Sequence, residues 1–92
     1  MTQTSIELEG RLLTFQLQEL PERSTPPWRT FRVLRLDHNP HIKGHATRWG
    51  FGWNADEGRF SRQTDRFNLE KRFPQIFYWA QDEIRAWYPG QE

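Results

Sequence analysis

The 92-residue sequence contains no cysteine, which excludes disulfides and thiolate metal centres and, with them, the small disulfide-stapled secreted scaffolds. Nowhere do ~18 apolar residues run together, so no helical membrane span is expected. The opening stretch, MTQTSIELEGRLLTFQLQEL, has neither a basic start nor an apolar run and carries Glu7, Glu9 and Glu19 instead, so it does not read as an export signal. A reducing cytoplasm is the compartment these absences imply. Catalytic signatures are missing as well: there is no G-x-S-x-G, phosphate-binding loop, dinucleotide fingerprint, H-E-x-x-H or carboxylate pair in an apolar setting. Asp56 and Glu57 fall in a turn beside Gly58, where solvent keeps both ordinary. No catalytic residue, cofactor or enzymatic activity is expected, because a chain of this length with so much loop leaves little room for a preorganised pocket. Internal repeats and low-complexity tracts are also absent.

Hydrophobic residues are scarce, at 35% with a mean hydropathy of −0.97. Aromatic residues are not: they make up 15% of the chain, and each ring removes ~150–250 Å² from water when buried. One domain spanning 1–92 is expected, with a core few in residues and heavy in rings, which argues against global disorder. The net charge of +1 hides a segregation along the chain. Residues 1–22 set one arginine against four glutamates and residues 73–92 set one arginine against three acids, while residues 23–72 hold eleven lysines and arginines against five acids.

Apolar residues alternate in the first segment, but their parity slips: Ile6 and Leu8 are even, whereas Leu13, Phe15 and Leu17 are odd, with Glu9-Gly10 between. A strand of period two cannot change face without a bulge or a turn. The segment reads as one long bent strand, with a tight hairpin at Glu9-Gly10 as the alternative. A breaker-rich loop follows through Pro21, Pro26 and Pro27. Trp28 to Leu36 reads as a strand, Asp37 to His45 as a loop punctuated by Asn39-Pro40 and Gly44, and Thr47, Trp49, Phe51 and Trp53 as the inward face of a further strand. Arg59 to Arg62 begins another. From Pro74 the period becomes helical: Phe73, Phe77, Ala80, Ile84 and Trp87 recur at spacings of four and three, Pro74 suits the first helical position and Pro89-Gly90 supplies the stop. The expected fold is α+β, an antiparallel sheet of about four strands followed by one C-terminal amphipathic helix packed on one face.

Three features carry possible function. His38, His41 and His45, beside Asp37, offer nitrogen and oxygen ligands, but Pro40 and Gly44 forbid the helical turn that would stack them, and no further Cys or His completes a tetrahedron. They read as a solvated loop tip, with no metal site expected. Trp49, Phe51 and Trp53 read as a buried strand face; turned outward they would be a platform on which unpaired bases stack. If the rings face inward, Arg48, Gly50, Gly52 and Asn54 form the outer face, and the paired glycines mark either close approach of a ligand or a bend.

Basic residues surround that strand: Lys43 and Arg48 before and at its start, then Arg59, Arg62, Arg66, Lys71 and Arg72 ahead of the C-terminal helix. Cations just before a helix N-terminus oppose the macrodipole, so they imply either a solvated face laced with pairs to Asp65 and Glu70 or the reception of an anion such as phosphate. The function expected from these features is a small binding module that engages nucleic acid, single strands in particular, through Lys43, Arg48, Trp49, Phe51, Trp53, Arg59, Arg62, Arg66, Lys71 and Arg72. The alternative is a protein-interaction or regulatory module with an acidic protein partner, or one that self-associates as a homodimer, since Arg and Trp are also enriched at protein interfaces.

Overall fold

A computed structural model describes residues 2–36 and 48–89 of the chain. Five strands, β1 (Thr2–Leu8), β2 (Arg11–Glu19), β3 (Trp28–Arg35), β4 (Arg48–Asn54) and β5 (Arg59–Phe60), form one antiparallel sheet in sequence order. Two helices follow, α1 (Thr64–Arg72) and α2 (Pro74–Trp87). The α+β class and the order of sheet then helix are those expected from the sequence. The strand and helix counts differ by one each, and both differences have physical causes.

The extra strand arises because the first segment is a hairpin and not a bent strand. Glu9 and Gly10 both take left-handed backbone, φ 53° and 75°, as the mirror-image turn that matches sheet twist requires at its two central residues. Leu8 pairs with Arg11, Ile6 with Leu13, Thr4 with Phe15 and Thr2 with Leu17. Residues directly opposite share a face, and across a two-residue turn an even number always meets an odd one. The parity slip is therefore what this hairpin demands.

The extra helix, α1, has no signature in the sequence: it buries only Leu69 and leaves Phe67 exposed, so it carries almost no apolar period. Its presence also changes the electrostatics of the basic stretch. Lys71 and Arg72 occupy the last turn of α1, where cations complement the carbonyl end of the dipole. At the start of α2, Pro74 has no N–H, and the amides of Ile76 and Phe77 bond the Phe73 carbonyl at 3.0 and 3.1 Å. The expected anion seat at that helix N-terminus is thus corrected: its donors are largely used internally.

The core lies between α2 and one face of the sheet. Leu13, Phe15, Leu17, Phe31, Val33, Trp49, Phe51, Trp53 and Phe60 meet Leu69, Phe73, Ile76, Phe77, Ala80 and Ile84, all buried. Edge-to-face rings lock the layers, with Phe73 5.1 Å from Phe15 and 5.8 Å from Trp49, geometries that add to simple burial. The end of α2 is tied back to the sheet by polar bonds: Trp53 Nε1 donates to the Tyr88 carbonyl at 2.9 Å, and the Tyr88 hydroxyl donates to Glu19 Oε2 at 3.0 Å. Arg29 lies 4.0 Å from the centre of the Tyr88 ring.

The hydrogen bond to Glu19 is the main influence holding the Tyr88 phenol above its ordinary value of 10.0, with partial burial and the Glu19 charge adding to it and Arg29 pulling the other way. A phenol whose folded value is raised contributes stability that is complete below the unfolded value and is lost as pH climbs through the folded one. Tyr88→Phe is accordingly expected to cost about 1 kcal/mol at neutral pH. Above pH 10 its stability should fall less steeply than that of the parent chain. Urea unfolding at neutral and at alkaline pH measures both; equal slopes would show that the bond contributes nothing.

Candidate nucleic-acid interface

Among the described residues, no helix crosses the sheet face opposite α2. Alternation along β3 turns Arg32 away from Phe31 and Val33, and the β3–β4 register sets Thr30 opposite Gly52, Arg32 opposite Gly50 and Leu34 opposite Arg48. The glycines differ in kind. A Cβ on Gly52 would sit 3.2 Å from Trp28 Cε3 and 3.7 Å from Ser61, so that position lets the indole lie close over the strand. A Cβ on Gly50 would meet nothing nearer than 3.9 Å, leaving bare backbone on the open face.

Because β5 pairs only with Trp53 and Asn54, β4 from Arg48 to Gly52 has no strand on the side away from β3. Its amides are met by side chains instead: Gly52 N–H donates to Ser61 Oγ at 2.9 Å and Gly50 N–H to Asp65 Oδ2 at 3.1 Å. These bonds draw the start of α1 over the sheet edge. The result is a groove of about 520 Å³ lined by Arg23, Arg32, Arg48 and Gly50 with Leu20, Thr30, Gln63, Thr64 and Asp65. The three arginines come from three segments, the 3-10 turn at Pro21–Arg23, β3 and β4.

Among the described residues none of these arginines forms an ion pair. Arg32 donates from Nη2 to Gln18 Oε1 at 3.1 Å, while its Nε is buried without a partner. A buried donor left unmet costs free energy, and Arg66 Nε, outside the groove, is buried in the same way. Asp65 is the one carboxylate in the lining, and its Oδ2 is already engaged by Gly50.

The basic surface continues around the sheet edge. A second hollow is bordered by Trp49, Asp65, Asn68, Lys71 and Arg72, and a third by Arg72 with Arg11 and Arg35, where Glu9 and Leu8 also line the wall. Shared lining residues, Asp65 and then Arg72, join the three.

Not every expected residue belongs to this surface. Trp49, Phe51 and Trp53 are each 1% exposed; their place as a stacking platform is corrected, because the helix layer covers their faces. Arg59 is held by Glu57 and stacks over Trp28. Arg66 is paired with Glu70 at 3.6 Å and lies over Phe67 and Phe77. Both are structural cations. Arg62 is exposed in the β5–α1 connection, outside the linings of the three hollows.

Lys43 and the histidines at 38, 41 and 45 lie outside the described residues, and among the described residues no cluster of three His, Cys, Asp or Glu is placed to hold a metal. Arg23 and Arg32 are not among the residues that the sequence singles out. The alternation of β3 marks Arg32 as outward-facing, but only strand pairing sets it beside Gly50 and Arg48.

No helix among the described residues is long and apolar enough to cross a membrane. Comparison with known proteins adds no assignment: no protein-family model, curated protein or solved structure matches the chain.

Proposed function

We propose that this chain is a small, non-enzymatic cytoplasmic module that binds the phosphate backbone of nucleic acid, single strands in particular, through the Arg23–Arg32–Arg48 groove and the basic surface continuing to Lys71 and Arg72. The observation that carries the reading is the convergence of three arginines, without carboxylate partners among the described residues, on a groove floored by Gly50 backbone. Arginine suits phosphate because its planar fork gives paired hydrogen bonds. A groove of this size accommodates a flexible strand more readily than the rigid wall of a duplex. Since the tryptophans of β4 are buried, affinity comes from charge and depends little on base sequence.

Anisotropy titrations of a labelled single strand and a labelled duplex at two salt concentrations test the proposal. Three phosphate contacts on a single strand give a log–log salt slope of about −2, or roughly a twentyfold loss of affinity between about 50 and about 200 mM salt. Absence of binding at low salt, or binding indifferent to salt, removes the proposal. An acidic protein is the competing partner for the same arginines, and displacement of the oligonucleotide by polyglutamate at equal charge concentration would favour it.

A further inference from the structure

The two edges of the sheet are treated differently. At the far edge, β5 is two residues long and the exposed amides of β4 are closed by Ser61 and Asp65. At the near edge, β1 presents seven residues, TQTSIEL, with no proline, no glycine, no lysine or arginine and a single charge at Glu7. Among the described residues, the devices that normally blunt an edge strand, apart from the charge of Glu7, are missing there.

We propose that the outer edge of β1 is the surface through which two copies of this chain pair, antiparallel, about a two-fold axis at Ser5. The hydrogen-bond phase of the sheet sets this register. Leu36 N–H donates to the Thr14 carbonyl at 2.8 Å and Leu20 N–H to the Thr30 carbonyl at 2.8 Å, so the even residues of β2 bond towards β3. The odd ones bond towards β1, to Thr2, Thr4 and Ile6. Gln3, Ser5 and Glu7 therefore direct their N–H and C=O groups outward, and all three are exposed.

With the axis at Ser5, Ser5 meets Ser5 of the second copy and Gln3 meets Glu7, twice. Every outward group then falls in phase, and each of these pairs exchanges both backbone bonds. The one charge faces a neutral amide, with no like charges opposed. Between these pairs Thr4 meets Ile6 of the second copy on the core side, where Ile6 already packs partly against the core.

A two-fold normal to the sheet keeps both open faces on one side. The sheet becomes ten-stranded, and the two arginine grooves, each about three strands from the axis, lie roughly 30 Å apart on a single surface. That last consequence rests on the proposed phosphate binding; the pairing itself does not.

Light scattering on the eluting protein is expected to give twice the 11.2 kDa chain mass at high micromolar concentration. Ser5→Pro removes an N–H that points away from β2, so the monomer loses no ladder bond, only the exposed hydroxyl contact of Ser5 with Thr14 Oγ1 at 3.1 Å; it should return the mass to that of one chain with an unchanged circular dichroism spectrum. Register is read separately. Thr4→Cys and Ile6→Cys chains, mixed and oxidised, should join as a mixed disulfide, because non-bonded antiparallel pairs bring Cα atoms to about 4.5 Å, within disulfide range, and the parent chain has no cysteine. Neither variant oxidised alone should cross-link efficiently. A parent chain that stays at one-chain mass overturns the proposal, as does a dimer that survives Ser5→Pro and gives no mixed disulfide. Neither outcome bears on the salt-dependent titration, which stands or falls on the arginines.

Discussion

Phe77→Ala is expected to lower the free energy of unfolding by about 3–5 kcal/mol, which for a domain with a typical total of about 5–15 kcal/mol is about a fifth or more of the whole. Phe77 is 1% exposed in the first turn of α2. Its ring lies 5.5 Å from Phe60 and 6.3 Å from Phe51, and the Arg66 guanidinium sits 5.1 Å from its centre. Truncation leaves a cavity bounded by rigid rings from two strands, which relax poorly, and it strips Arg66 of one of its supports. The neighbouring Tyr78 is 53% exposed, so Tyr78→Ala should change stability by no more than about 0.5 kcal/mol. Urea denaturation of the pair measures the contrast. A loss below about 1.5 kcal/mol for Phe77→Ala would mean that α2 does not close the core as described.

Neutralising the groove should have the largest effect on binding. Arg23→Gln, Arg32→Gln and Arg48→Gln together keep the Cβ–Cγ stem and a polar tip and remove three cations. At about 1 kcal/mol per lost contact, affinity for a single strand should fall roughly a hundredfold at low salt, and the salt slope should flatten towards that of the residual surface cations. Glutamine preserves much of the packing of the half-buried Arg32 stem, so the unfolding midpoint should move little. Arg59→Gln with Arg66→Gln is the informative counterpart. Those arginines are committed to Glu57 and Glu70 and to the rings beneath them, so their loss should weaken the fold more than the binding. The reverse outcome would place the interface on the β5–α1 side.

Much of the fold was legible because it rests on periodicity. Alternation in 47–53 announces a strand with its rings inward, and the four-and-three spacing from Phe73 to Trp87 announces the helix that covers them. The hairpin at Glu9-Gly10 was legible too, in the parity slip, once an odd–even exchange across a two-residue turn is weighed against a bulge. Helix α1 was not, since one buried leucine in nine residues leaves no period to detect. The interface was legible only in part. A surplus of cations in 23–72 is visible in the chain, but which of them are spent on neighbouring carboxylates is not. Arg59 and Arg66 look the same in sequence as Arg48 and are different in space.

Sequence alone determined the α+β class, the aromatic core and the concentration of positive charge in the middle of the chain, because these follow from composition and local period. Tertiary structure decided where that charge gathers. Strand register set Arg32 and Arg48 around bare Gly50, the short β5 let Ser61 and Asp65 close one edge, and the turn at Pro21–Arg23 brought in a third arginine. Such contacts join residues far apart in the chain, and their energies depend on distances that no local pattern encodes.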